Sequence, residues 1–165
     1  MLGYYKDQKQ TDEIIKDGWL YTGDEGSVNT DGFLKITGRV KDIFKTSKGK
    51  YIAPSPIEMK FSEDVNIEQV CIVGNGLPQP IALVVLSKLA KSSINIESNL
   101  QKTLSNVNST LDKHEIIHNL IVVNDIWTVD NKLLTPSMKI KRKSLEKLYK
   151  DNYSLWYDGE KILVL

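Results

Sequence analysis

Two apolar runs, GluGlnValCysIleValGly at 68–74 and ProIleAlaLeuValValLeu at 80–86, leave this chain the fewest ways to fold. Both are rich in β-branched residues and too short for a helix, and AsnGlyLeuProGln between them reads as a tight connection. Two neighbouring strands follow. Downstream, Ile94, Leu100, Leu104, Val107 and Leu111 recur at helical spacing and predict an amphipathic helix over 94–111. IleIleHisAsnLeuIleValVal at 116–123 reads as a further strand, and LysSerLeuGluLysLeuTyr at 143–149 as a last helix.

Upstream, ThrAspGluIleIleLys at 11–16 reads as a short helix capped by Thr11 or Asp12 and ended by Asp17-Gly18. TrpLeuTyrThr at 19–22 and PheLeuLysIleThr at 33–37 read as strands. With the turn signal AsnThrAspGly at 29–32 between them, they predict a hairpin over 19–37. After Gly38 the texture changes. AspIlePheLysThrSer, a LysGlyLys turn and TyrIleAla give a second hairpin, and Pro54 and Pro56 open a short helix at positions where no amide donor is needed. The order hairpin, helix, strand, strand, helix, strand, helix predicts an α+β fold: a small domain from about residue 41, a hairpin plus a mixed sheet flanked by helices, preceded over 1–40 by the β-rich tail of a different unit.

Composition excludes several classes of function. With 22 Lys+Arg against 21 Asp+Glu, net charge +1, there is no global argument for nucleic acid or an anionic membrane. Cys71, the only cysteine, lies within ValCysIleVal and reads as a small buried hydrophobe, and one chain can hold no disulfide. No apolar run approaches the length of a membrane span, and the first residues lack a signal peptide's apolar core, so the expected location is cytoplasmic or membrane-peripheral.

The chemistry-bearing positions begin at Asp24, which follows ThrGly at a strand end. Its two acceptor oxygens suit the vicinal hydroxyls of a ribose, although Asp beside Gly is most often a plain turn residue. Arg39 adds a fork of fixed donors suited to ribose oxygens or phosphate, or to a surface ion pair. LeuThrProSerMetLysIleLysArg at 134–142 places Lys139 in a loop before the last helix, at the head of a basic stretch that includes Lys141, Arg142, Lys143, Lys147 and Lys150.

Taken in order, GlyTrpLeuTyrThrGlyAsp, AspGlyPheLeuLysIleThrGlyArgValLysAsp, TyrIleAlaProSerProIleGlu and the 134–142 segment resemble the late motifs of the adenylate-forming superfamily of acyl-CoA synthetases, luciferases and peptide-synthetase adenylation domains. The last two are most similar to the long-chain fatty-acid CoA ligase branch. The resemblance implies that Asp24 binds ribose, that Arg39 contacts the nucleotide from the end of a large N-terminal domain, and that Lys41 is the hinge about which a C-terminal domain rotates. A hinge needs backbone freedom rather than a particular side chain. It further implies that Gly49 lets the pantetheine arm of CoA pass close to the backbone, and that Lys139 reaches the acyl carboxylate and α-phosphate during adenylation. Lys48 and Lys50 flank that glycine and could attract CoA phosphates.

The family's Ser/Thr/Gly-rich phosphate loop and its acyl pocket do not occur among these residues. The expectation is therefore a C-terminal portion of an ATP-dependent fatty-acid CoA ligase, inactive alone, with residues 1–40 ending a domain whose core lies elsewhere. Fatty acid, ATP and CoA are the expected ligands. Mg²⁺ is expected with the triphosphate, its ligands lying outside this chain. Residues 1–40 would be poorly ordered alone or would find a substitute partner such as a second copy of the chain. Two other readings stand beside it: a non-catalytic module of the same shape, against which Lys139, Asp24 and Arg39 speak, and a nucleic-acid-binding domain using 139–150. The second is disfavoured because that stretch alternates with Leu145, Leu148 and Tyr149 as a packed helix does.

Overall fold

The computed structural model describes residues 1–165. Helix α1 (Gln8–Ile14) is capped by Asp7, whose carboxylate accepts from the Gln10 amide at 2.9 Å. Thr11 and Asp12, the two expected caps, both lie inside the helix; the buried Thr11 hydroxyl donates to the Asp7 carbonyl and accepts from the Tyr4 amide. The chain then turns at Asp17 and Gly18, with φ of 51° and 79°, and pairs β1 (Ile15–Lys16) with β2 (Trp19–Leu20). Two successive left-handed residues supply the twist that a two-residue hairpin requires.

This corrects the expected hairpin over 19–37. Asp17-Gly18 is a hairpin turn, and it takes Trp19 and Leu20 into pairing with β1. The larger hairpin is β3 (Asp24–Val28) with β4 (Leu34–Arg39). Its turn lies where AsnThrAspGly predicts it: the Asn29 side-chain oxygen accepts from the amides of Asp31 and Phe33, and Gly32 has φ 84°. Within residues 1–40 only Thr11 and Gly38 are buried, while Trp19, Phe33, Leu34 and Ile36 face outward. These residues have no core of their own.

A 3₁₀ turn, Val40–Asp42, leads into the second hairpin, β5 (Phe44–Lys45) with β6 (Tyr51–Ile52), and then into α2 (Pro54–Phe61). The two apolar runs become β7 (Ile67–Val73) and β8 (Ile81–Leu86). After them come α3 (Ile96–Asn108), β9 (Leu120–Val122), α4 (Arg142–Tyr149), α5 (Tyr153–Tyr157) and β10 (Ile162–Val164). The four-stranded sheet runs β10-β9-β8-β7, antiparallel between β7 and β8 and parallel across the other two pairings. The α+β expectation is met with a mixed sheet.

Alternation along these strands divides the domain into two cores. Val70, Ile72, Ala82, Val84, Leu120 and Val122 face α2, α3 and the β5–β6 hairpin, where Phe44, Ile52, Ile57 and Phe61 pack with Leu100, Leu104 and Val107. Cys71, Val73, Ile81, Leu83, Val85, Ile121 and Val123 face the other way, onto Trp127, Leu133, Leu134 and the buried sides of α4 and α5. All six residues of β8 are buried, as a strand covered on both faces requires. Ile94, counted in the helical stripe, is exposed because α3 starts after it. The expected strand over 116–123 shortens to 120–122, and β10 pairs alongside it. Buried Asn119 holds the approach to β10 by donating to the carbonyls of Glu160 and Gly159.

His118 sits beside that junction. Its ring stacks on Tyr157 with centroids 4.0 Å apart, and the Lys161 ammonium lies 3.2 Å from its Nδ1. Burial first, then Lys161, hold its pKa below the ordinary 6.5, against smaller opposing effects of the Tyr157 backbone and Asp158. The folded state therefore resists a proton that the unfolded chain accepts, so this contribution is present above pH 6.5 and is lost as pH falls through the lower folded value. His118→Gln is expected to lose less stability than the parent between about pH 7 and 5. Parallel urea titrations at the two pH values measure the difference, and equal losses would rule it out.

Candidate functional site

The β3–β4 hairpin carries a bulge between Glu25 and Gly26, after which Glu25 faces Gly38 and Asp24 faces Arg39. The extra residue, Thr37, shifts the register so that the carboxylate and the guanidinium meet. Arg39 Nε donates to Asp24 Oδ1 at 3.2 Å. Gly26 suits this close approach, since a Cβ would lie 3.0 Å from the Lys35 carbonyl oxygen and would push the partner strand back by a few tenths of an ångström. With side-chain exposures of 63% for Arg39 and 31% for Asp24, the pair adds at most about 1 kcal/mol to stability and stays open to a ligand. Asp24 Oδ2 and the two terminal nitrogens of Arg39 make no hydrogen bond within the chain.

Lys41 follows directly, exposed and central in the 3₁₀ turn Val40–Asp42. The turn is tied back at one point, where the Val40 amide donates to the Gly23 carbonyl at 3.0 Å. Gly49 lies at the tip of the β5–β6 hairpin with φ 78°. Its amide donates to the Thr46 carbonyl at 2.9 Å, and buried Thr46 accepts from the Lys50 amide through its hydroxyl. The Ser47 amide donates to the Leu77 carbonyl, and the Gly76 amide to the Lys45 carbonyl, fixing this tip to the β7–β8 connection. Lys48 and Lys50 are exposed on either side of Gly49.

Lys139 stands on a compact loop. The Thr135 amide donates to the Lys139 carbonyl at 2.7 Å, the Met138 amide to the Thr135 carbonyl at 2.8 Å, and the Lys139 amide to the Thr135 hydroxyl oxygen at 3.0 Å. Met138 takes φ 60°, and Leu134 bridges Ile140 at the neck. The incoming stem is held by Leu133 and Leu134, both buried. The Lys139 side chain is exposed, and both ion pairs of the chain lie elsewhere. The structure thus brings Asp24 and Arg39 together, sets Lys41 two residues after Arg39, and places Gly49 and Lys139 on separate loops with no hydrogen bond joining them to that pair or to each other.

One cluster escapes sequence reasoning. Arg142 Nη2 donates to Glu58 Oε1 at 2.7 Å, while Nη1 donates to the Ile72 carbonyl and lies 3.1 Å from Cys71 Sγ. The same Glu58 oxygen accepts from the Ile72 amide at 2.8 Å. Side-chain exposures are 12% for Arg142 and 18% for Glu58. Burial opposes the Arg142 cation, yet its neighbours Cys71 and Glu58 raise its pKa overall. Burial pushes the Cys71 thiol far up, so it is neutral at pH 7 and Glu58 is the operative counter-charge. The available signal was compositional: of 22 basic side chains only Arg39 and Arg142 are arginines, and they make both ion pairs. No three His, Cys, Asp or Glu side chains converge as a metal-holding group.

Solved adenylation domains contain the same overall architecture. The adenylation domain of a carboxylate reductase from Mycobacterium chelonae superposes with a TM-score of 0.81 at 26% identity, over 95% of this chain and 26% of that one. The corresponding domain from Segniliparus rugosus, solved with AMP and a co-purified carboxylic acid, shares the fold with a TM-score of 0.78 at 23% identity, over 94% of this chain and 26% of its own.

Residues 41–161 match the AMP-binding enzyme C-terminal domain, and the chain belongs to that family. Similar curated proteins include fatty acyl-CoA synthetase B of Dictyostelium discoideum, 33% identical over 94% of this chain and 26% of its own length. Long-chain-fatty-acid–CoA ligase 5 of Mus musculus is likewise 33% identical, over 95% and 26%. The chain spans about a quarter of the length of these relatives. No helix is long and apolar enough to cross a membrane.

Proposed function

We propose that these residues form the C-terminal part of an AMP-forming long-chain fatty-acid CoA ligase. The observation that carries this reading is the Lys139 loop, an exposed cation with no partner in the chain, held at the tip of a hydrogen-bonded turn. The long-chain substrate class is supported by the names of the similar proteins.

In the proposed reaction a fatty carboxylate attacks the α-phosphorus of ATP. The P–O bond to pyrophosphate breaks, leaving acyl-adenylate. The CoA thiol then attacks the acyl carbon, losing its proton, and AMP departs. Lys139 stabilises the negative charge gathered in the first step, and Asp24 and Arg39 hold the ribose. Rotation at Lys41 exchanges the Lys139 loop for the Gly49 hairpin, past which the pantetheine arm runs. A boundary at residues 40 and 41 is supported by the start of the family match at residue 41 and by the absence of a core in 1–40. In this reading the Mg²⁺ that neutralises the triphosphate would be held by residues outside this chain. A peripheral contact with membranes would suit a long-chain acid as substrate.

The test is fatty-acid-dependent exchange of pyrophosphate into ATP. A full-length protein carrying this chain behind a nucleotide-binding N-terminal domain is expected to show it, and residues 1–165 alone are expected to show none. Clear exchange by the 165-residue chain would overturn the division of labour proposed here.

A further inference from the structure

We propose that Arg142 is a positioning residue for Lys139, with Glu58 as its fixed counter-ion, pinning the outgoing stem of the lysine loop to the free edge of the sheet. This rests on the role of Lys139 proposed above. Strand β7 is the outermost in the order β10-β9-β8-β7. Ile72 faces Ala82 across the β7–β8 ladder, yet its own amide and carbonyl point to the free edge. There the Glu58 carboxylate accepts from the amide and the Arg142 guanidinium donates to the carbonyl, as a further strand would.

The two stems of the lysine loop are therefore held by different means. The incoming one is anchored by buried Leu133 and Leu134. The outgoing one leaves Lys139 through half-buried Ile140 and reaches Arg142 three residues later. Arg142 ties it to strand β7 through Ile72 and to helix α2 through Glu58, 84 positions away in sequence. The same α2 directly follows the β5–β6 hairpin that bears Gly49. A lysine at position 142 could match the charge but not the fork that reaches Glu58, Ile72 and Cys71 together.

The experiment compares wild type, Arg142→Lys and the double variant Glu58→Gln/Arg142→Met in the full-length enzyme. The double variant removes both charges together, and the introduced glutamine keeps an oxygen that can accept from the Ile72 amide, so folding is preserved while the pin is lost. Expected are a thermal midpoint near wild type, a kcat for pyrophosphate exchange lower by on the order of 100-fold, and an unchanged KM for ATP. Thioester formation from preformed acyl-adenylate should be unaffected, and Arg142→Lys should recover part of the exchange rate. A merely structural pair would lower both half-reactions together with the thermal midpoint, and that result, or wild-type exchange by the double variant, overturns the proposal. Wild-type enzyme without exchange would instead overturn the reading of Lys139 itself.

Discussion

Lys139→Ala in the full-length enzyme is expected to lower adenylation by roughly a thousandfold while leaving thioester formation from preformed adenylate nearly intact. Attack of a carboxylate on the α-phosphate brings two anionic groups together. A cation about 4 Å away gains ~4 kcal/mol at an effective dielectric near 20, which is roughly a thousandfold in rate if the gain is confined to the transition state. The substitution removes the side chain and its charge but not the loop, which is built without them. The Lys139 backbone amide and carbonyl, Thr135 and the Leu134–Ile140 bridge carry the turn, and all survive truncation of the side chain. The thermal midpoint should therefore stay at its wild-type value. Rapid-quench measurement of the two half-reactions separates the outcomes, and equal loss in both would refute the role assigned to Lys139.

How far such a site can be read from sequence depends on how local its geometry is. Asp24 and Arg39 meet within one hairpin, and the Lys139 loop closes on itself, so motif order exposes both. The turn at 29–32 was legible for the same reason: one Asn side chain accepts from two nearby amides. Asp17-Gly18 shows the limit of local signals, because the same dipeptide can end a helix or turn a hairpin. Pairing of Ile15 with Leu20 decides between them. Strand β10 offers only IleLeuVal, too short for a period, and its place beside β9 is a long-range pairing. The Arg142–Glu58 pair is the extreme case. A basic stretch suggests a solvated helix face, and nothing near residue 142 announces a carboxylate 84 positions away at the free edge of a sheet.

That pair makes the second large effect a matter of stability, measurable on the 165-residue chain itself. Glu58→Ala is expected to cost about 3–5 kcal/mol, because it strands the Arg142 guanidinium without a counter-charge and leaves the Ile72 amide without its acceptor. Against a total stability of about 5–15 kcal/mol this is a large share. With a urea slope of about 1–3 kcal/mol/M, the midpoint should fall by one to several molar. Glu58→Gln alone should cost less, since its amide oxygen can still serve Ile72. Adding Arg142→Met to it should restore most of the remainder by removing the stranded charge. The order expected in urea titrations is wild type close to the double variant, then Glu58→Gln, then Glu58→Ala. If Glu58→Ala were no less stable than the double variant, the pair would behave as an exposed salt bridge, and the closed edge at Ile72 would contribute nothing to holding the sheet together.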